Sequence, residues 1–320
     1  MLSADSFPRL TVAAASLKLA CVGTPEIPFT ESGFDDVTPP SDGRSDQFSP
    51  DTPPWGILGA VGVWVMSFVF MFVTQLAFII GYLLYRHADL AAVAEIVTKD
   101  PIAIFVAILS LVPAHQLTIV LAWMLVTGNG KRPFLRTLGW DWGRGFTFWR
   151  SAGLAVALLL AGTAIIKLTG NPETELDRLI ESSRAAALAT AFLATVTAPF
   201  VEEVIYRGVL YSAIRRAAGR GVAVAIVVLL FAAIHVPQYW PSFGVIGTIL
   251  LLSLVLTLIR AHTGRLLPCF IVHLVFNGIQ SVLIVLNPYL EHVSPQTTPT
   301  EPGALLHVLV QLFVPHVRLF

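Results

Sequence analysis

The sequence predicts an all-α fold, a polytopic membrane helix bundle with seven to eight transmembrane helices. Composition is the first reason, because 55% of the 320 residues are hydrophobic and only 12% are charged, whereas soluble domains carry about 25% charged residues. The second reason is a series of long apolar runs, since a helix needs roughly 20 apolar residues to cross a bilayer. The third is that no run alternates as a strand does, and an open sheet cannot lie in lipid.

Seven apolar runs are long enough to be transmembrane helices. They lie at about 55–85, 102–127, 151–169, 185–210, 221–240, 243–260 and 266–287. The first run is longer than a single span needs, which indicates a tilted or partly interfacial helix. The segment 303–320 is a weaker eighth candidate.

The amino-terminal region differs from the rest of the chain. Residues 24–54 are rich in Pro, Ser, Asp and Gly without a helical or strand period, so residues 1–54 are predicted to form a disordered arm. Residues 55–320 are predicted to form the integral membrane domain. With the arm in the cytosol, 14 of the 20 Lys and Arg residues fall on the cytosolic side, as multi-pass proteins favour. The amino terminus is therefore predicted to be cytoplasmic.

Charge and cysteine content exclude some classes of partner and fold. The chain has 20 basic and 20 acidic residues and a formal net charge of zero. No basic field therefore favours nucleic acid, and the lipid bilayer is the expected surrounding. Cys21 lies in a polar tail and Cys269 in an apolar run, so no disulfide framework is predicted.

The segment Ala198–Tyr211, with the sequence APFVEEVIYRGVLY, places two carboxylates and an arginine in an apolar run. Each ionised group within a membrane helix costs roughly 2.5–3.5 kcal/mol on insertion scales and usually faces the bundle interior. Glu203 and Arg207 stand four residues apart and can pair on one helical face. Glu202 lies about 100° round the helix, so it is the carboxylate left to take a proton from water. The alternative is a helix end, with Arg207 reaching the interface.

Two later spans carry further polar residues. His235 lies in the apolar run LLFAAIHVPQYW, where a single histidine is more often a hydrogen-bonded core residue than a catalyst. His273 and Asn277 stand four residues apart in CFIVHLVFNGIQ and share one helical face, and a buried amide needs partners. Because polar groups in a membrane face inward, one carboxylate, two imidazoles and one amide are predicted to converge on one site.

The remaining polar residues of the spans are interpreted as structural. Ser110, Ser253 and the alanines of 185–198 are of the small kind that lets membrane helices approach closely. His115 is expected to make a structural hydrogen bond, and a functional role is the alternative.

The segments EEVIYR, FAAIH and HLVFN, in this order on successive apolar runs, carry a resemblance to a known family. They resemble the EExxxR, FxxxH and HxxxN/D motifs of the CPBP family, which includes type II CAAX prenyl endopeptidases and the Abi proteins. The first motif alone is moderately specific, and the three together are quite specific. The resemblance covers a core of roughly 185–287, and the first three spans match only in being hydrophobic.

This resemblance implies an intramembrane endopeptidase that hydrolyses a peptide bond with a glutamate-activated water. Carried over by position, it implies the catalytic residues Glu202, Glu203, His235, His273 and Asn277, with Arg207 as the structural ion-pair partner. Glu202 is expected to take a proton from a water held by His235. His273 and Asn277 are expected to donate hydrogen bonds to the developing oxyanion.

The cofactor and the substrate stay open at this stage. The family is commonly metal-dependent, and Glu202, His235 and His273 form a candidate zinc ligand set with water in the fourth position. The chain has no HExxH segment, and asparagine is a poor zinc ligand, so ligand type argues both ways. The expected partner is a peptide or protein substrate, with or without a prenyl group, that reaches the site from the membrane or the cytosol.

The rival class is a non-catalytic membrane scaffold, an immunity factor or a small transporter that uses the same polar cluster. Transporters often have paired broken helices in two repeated halves, whereas the buried polar groups here concentrate in one half of the chain. No span places a serine in a glycine-flanked turn beside a histidine, or holds a pair of aspartates. These features favour a peptidase of the glutamate type.

Overall fold

A computed structural model describes residues 52–143, 145–170 and 172–291, except for the side chains of 287–291. All regular secondary structure in these ranges is helical. The helices are α1 (Ile57–Tyr85), α2 (Val93–Lys99), α3 (Pro101–Thr127), α4 (Phe134–Leu138), α5 (Phe148–Thr169), α6 (Glu175–Glu181), α7 (Arg184–Ala218), α8 (Arg220–Tyr239), α9 (Phe243–Thr263) and α10 (Leu267–Glu291).

Seven of the described helices are long and apolar enough to cross a membrane, namely α1, α3, α5, α7, α8, α9 and α10. The predicted all-α bundle is therefore confirmed, and the chain is a multi-pass membrane protein. The largest difference from the predicted bounds is at α7, which continues to Ala218 instead of ending near 210. The eighth candidate span, 303–320, and residues 1–51 of the predicted arm lie outside the described residues, and the cytoplasmic amino terminus stays a prediction.

Helix α7 occupies the centre of the bundle. All eight residues of its segment Glu203–Leu210 are buried, and this segment contacts α1, α3, α4, α8 and α9. The amino-terminal half of α7 packs against α10. Because this segment is buried on all sides, its ionisable groups face protein and not lipid. The charged residues of the α7 segment are therefore interior groups, and the helix-end alternative does not apply to Arg207, which is fully buried.

A hydrogen-bonded carboxylate joins the end of α1 to the start of α3. Asp100 caps α3 by accepting from the Ile102 amide at 2.9 Å, and its other oxygen accepts from the Tyr82 hydroxyl at 2.7 Å and from Arg86 at 3.4 Å. The hydrogen bond from Tyr82 is the main cause that holds the pKa of Asp100 below its usual value. Asp100 thus links the end of α1 to the start of α3.

Helices α5 and α9 approach closely at Gly244, where an added Cβ would lie 2.9 Å from the Cα atom of Ile166. Because a backbone atom cannot move aside alone, Gly244→Ala is expected to lower the free energy of unfolding by about 1–3 kcal/mol, measured by denaturation in detergent. Gly247→Ala is the matched control, since its Cβ would meet Ile165 Cγ2 at an ordinary 3.7 Å. Equal stability of the two variants would contradict this close approach.

Candidate active site

Two π-helical turns interrupt α7 and shape the site. They span Leu193–Thr197 and Glu203–Leu210, with the α-helical turn Ala198–Glu202 between them. π-Turns inside α-helices are rare and occur frequently at functional sites, because the wider turn reorients side chains and frees backbone groups. Glu202 and Glu203 therefore lie at the junction between an α-helical and a π-helical turn.

The first π-turn leaves one backbone carbonyl without a helical partner. The Ala198 amide donates to the Leu193 carbonyl, and Pro199 has no amide hydrogen to donate. The carbonyl of Ala194 is thus left without either helical donor, and it accepts from Asn277 Nδ2 at 2.9 Å. The partly buried carbonyl is satisfied by a side chain from α10, so Asn277 joins α10 to α7 at the site.

A buried ion pair lies at the second π-turn. Arg207 Nη1 donates to Glu203 Oε1 at 3.0 Å, and neither side chain is exposed. Two residues of α9 complete the shell, because Arg207 Nη2 donates to Ser253 Oγ at 2.9 Å and Arg207 Nε donates to Thr257 Oγ1 at 3.3 Å. Ser253, which the sequence indicated as a packing residue, also holds the guanidinium in place.

His273 connects the ion pair to the second carboxylate. Its Nδ1 lies 2.9 Å from Glu203 Oε1, and because an ionised carboxylate only accepts, this nitrogen carries the hydrogen. The other ring nitrogen, Nε2, lies 3.7 Å from Glu202 Oε2, which is longer than a hydrogen bond. The tautomer imposed by Glu203 therefore presents an unprotonated Nε2 to Glu202 whenever the ring is neutral.

His235 is held by the backbone of its own helix. Its Nδ1 lies 2.7 Å from the Phe231 carbonyl oxygen. Because a carbonyl only accepts, Nδ1 is the donor. The other ring nitrogen, Nε2, is left for a ligand or water. The Phe231 ring lies 4.7 Å from the His235 ring and 6.0 Å from the His273 ring. Arg207 Cζ stacks 4.3 Å from the same ring centroid. The phenylalanine of the FAAIH segment thus spaces the two imidazoles and contacts the buried cation.

One cavity of about 450 Å³ is lined by the side chains of all four predicted groups, Glu202, His235, His273 and Asn277. Glu202 is the most accessible carboxylate of the cluster, with 23% of its side chain exposed against none for Glu203. Among the described residues, no lysine or arginine pairs with Glu202. The arrangement brings together the four groups that the sequence predicted to converge, and it leaves Glu202 as the carboxylate facing the open space.

The same cavity also receives residues from outside the predicted site. His115 of α3 lines it, and His115 Nδ1 lies 2.9 Å from Thr197 Oγ1 in the first π-turn. Tyr206 of the second π-turn lines it as well. Helix α6 contributes the apolar side chains Leu176 and Leu179. The sequence marked His115 as a polar residue inside a span, whereas nothing in it distinguishes Tyr206, Leu176 and Leu179 from core positions.

The predicted zinc ligands do not form a three-ligand cluster in the described part of the chain. No group of three or more histidine, cysteine, aspartate or glutamate side chains in these ranges is arranged to share a metal ion. The zinc site stays a prediction, which metal analysis of the purified protein tests.

The fold and the site define a polytopic membrane protein whose central helices enclose a cavity lined by a carboxylate, imidazoles and an amide. Residues 184–279 match the family model described as "Type II CAAX prenyl endopeptidase Rce1-like". The matched segment, less than half of the chain, contains all three sequence motifs, and the resemblance inferred from them is confirmed for this segment. No curated protein and no solved structure gives a significant match.

Proposed function

We propose that the chain is an intramembrane endopeptidase that hydrolyses a peptide bond with a water activated by Glu202. The family match supports a protease of the CAAX type. The observation that carries the proposal is the convergence of Glu202, His235, His273 and Asn277 on one cavity. Such a cavity holds the parts that peptide hydrolysis requires, namely a base for water, a second group to orient the water and donors for the oxyanion.

The first chemical step is proton transfer from water to Glu202. The Glu202 carboxylate has no arginine or lysine partner among the described residues, so its oxygens can accept hydrogen bonds from a water. His235 Nε2 faces the same cavity with its Nδ1 fixed by the Phe231 carbonyl, and it can accept the second hydrogen of that water. The water oxygen then forms a bond to the carbonyl carbon while its proton moves to Glu202.

The second step is collapse of the tetrahedral intermediate. The Asn277 amide uses one hydrogen on the Ala194 carbonyl, and its second hydrogen can donate to the oxyanion. His273 can donate through Nε2 only when that nitrogen is protonated, because Nδ1 is committed to Glu203. Glu202 passes its proton to the leaving nitrogen as the carbon–nitrogen bond breaks. Removing one oxyanion donor from such a site costs about 10²–10³-fold in kcat.

The buried ion pair has a supporting role in this proposal. Glu203 sets the tautomer of His273, and Arg207 compensates the charge of Glu203. Ser253 and Thr257 hold the guanidinium, which in turn holds Oε1 of Glu203 through a 3.0 Å contact. The arrangement keeps His273 Nε2 directed toward the reacting groups, as an aspartate does for the histidine of a hydrolase triad.

The cavity lining indicates the kind of substrate. Apolar residues of α1, α6 and α9 surround the space next to the polar cluster, among them Phe68, Leu176, Leu179 and Leu252. An apolar lining with a few convergent polar groups is typical of a site that buries an apolar ligand. A peptide with a prenylated cysteine, as the family name implies, combines an apolar chain with a peptide bond.

The purified protein in detergent tests the proposal with a fluorogenic peptide that carries a farnesylated CAAX sequence. We expect cleavage with a product mass that corresponds to addition of one water across a single peptide bond. The same peptide without its farnesyl group is the comparison, and preferential cleavage of the farnesylated form is expected. Absence of cleavage of both peptides, and of reconstituted membrane substrates, would contradict the proposed function.

A further inference from the structure

We propose that Tyr206 is a further catalytic residue, whose hydroxyl donates a hydrogen bond to the carbonyl oxygen of the scissile peptide bond. This inference rests on the proposed peptide hydrolysis and adds a donor that neither the motifs nor the family match assigns. Trp64 of α1 is the positioning residue that orients the hydroxyl.

The direction of one hydrogen bond fixes the role of the Tyr206 hydroxyl. Trp64 Nε1 lies 2.9 Å from Tyr206 Oη. An indole nitrogen can donate but cannot accept, so the phenolic oxygen must accept in this contact. The hydrogen of the phenol is then left to donate elsewhere.

Among the described residues, the Tyr206 hydroxyl makes a hydrogen bond to Trp64 alone, and it accepts in that bond. No described residue therefore accepts the phenolic hydrogen. Tyr206 is only 3% exposed, yet it lines the cavity together with Glu202 and His235. Its ring packs edge-on against Phe231 at 5.1 Å and 84°. The hydroxyl is thus a buried donor on a fixed ring, next to the space assigned to the substrate.

A neutral donor in this position stabilises charge that grows during the reaction. The substrate oxygen carries more negative charge in the tetrahedral transition state than in the bound peptide, so a fixed donor lowers the barrier of the chemical step. Acceptance from Trp64 polarises the phenol and strengthens its donation, since linked hydrogen bonds reinforce each other. The expected signature is an effect on kcat with a smaller effect on KM.

The test compares variants in the cleavage assay with the farnesylated CAAX peptide. Tyr206→Phe is expected to lower kcat by about 10²-fold, the loss typical of one oxyanion donor, with KM changed much less. Tyr82→Phe is the matched control, because it also removes a hydrogen-bonded hydroxyl, the one held by Asp100, at a position that does not line the cavity. The kcat of Tyr82→Phe is expected to equal that of the wild type.

A double variant separates catalysis from stability. Tyr206→Phe leaves the Trp64 N–H without its partner, and this unpaired group lowers thermal stability. The double variant Trp64→Phe/Tyr206→Phe removes both partners, so it is expected to regain thermal stability. The proposal expects kcat of the double variant to stay low, and recovery of kcat together with stability would overturn it. Wild-type kcat in Tyr206→Phe would also overturn it, and peptide hydrolysis would then stand as long as Glu202→Gln is inactive. A wild-type protein that cleaves no peptide would overturn both.

Discussion

Glu202→Gln is expected to lower the rate of peptide hydrolysis by about 10²–10⁴-fold, the range that a general base contributes. Glutamine keeps the size and polarity of the side chain but cannot take a proton from water. Because Glu202 is partly exposed in the cavity and makes no buried ion pair with arginine or lysine in the described ranges, the change is expected to leave the folded structure intact. Cleavage of the farnesylated peptide measures the rate.

Glu95→Gln provides the matched control for this change. Glu95 is an exposed residue of α2 that pairs with Lys99 at 3.5 Å, and it does not line the cavity. Its loss is expected to leave hydrolysis unchanged. Thermal unfolding of both variants in detergent should match the wild type, and retained turnover in a folded Glu202→Gln protein would remove Glu202 from the role of base.

Arg207→Met is expected to lower the free energy of unfolding by about 3–5 kcal/mol, the cost of breaking a buried ion pair by removing one partner. The change leaves Glu203 in a site without any exposure and removes the donors that reach Ser253 and Thr257 on α9. Chemical denaturation in detergent measures this loss. The variant is also expected to lose activity, since the position of His273 depends on Glu203.

Two comparisons separate the buried pair from charge effects in general. Arg178→Met removes an exposed arginine that pairs with Glu173 and Glu175, and such surface pairs are worth about 0–1 kcal/mol. The double change of Glu203→Gln with Arg207→Met removes both charges and is expected to recover part of the lost stability. A loss for Arg207→Met no greater than that for Arg178→Met would contradict the interior position of the pair.

The rival class of non-catalytic membrane proteins makes a different prediction for Glu202→Ala. A scaffold, immunity factor or transporter that uses the cluster for binding has no need for a proton acceptor at this position. If the biological activity of the chain survives Glu202→Ala, the hydrolytic proposal fails and a binding role is favoured. Loss of activity with retained folding supports the peptidase.

The transmembrane fold is the part of the structure that the sequence predicts best. Each of the seven predicted runs corresponds to a described spanning helix, because span length is set by the bilayer thickness and apolar composition. The four-residue spacing of Glu203 and Arg207 also indicated their contact, and the two side chains do pair within the π-turn. These features depend on residues that are close together in the sequence, so the sequence alone can predict them.

The finer geometry of the site depends on contacts between distant residues. The hydrogen bond from Asn277 to the Ala194 carbonyl joins residues of α10 and α7 that are far apart in the sequence, and Pro199 alone does not specify it. Likewise, the role of Ser253 as a partner of Arg207 requires knowing which face of α9 meets α7. Trp64 and Tyr206 stand 142 positions apart, so no local pattern could predict the hydrogen bond between them.

The proposed hydrolysis requires that Glu202, His235, His273 and Asn277 surround the scissile peptide bond. Cryo-electron microscopy of Glu202→Gln with the bound farnesylated CAAX peptide tests this most directly, because the variant is expected to bind without turnover. We expect peptide density within the cavity, with a backbone carbonyl between residue 202 and Asn277. Peptide density on the outer face of the bundle, with the four side chains separated by packed aliphatic groups, would contradict it.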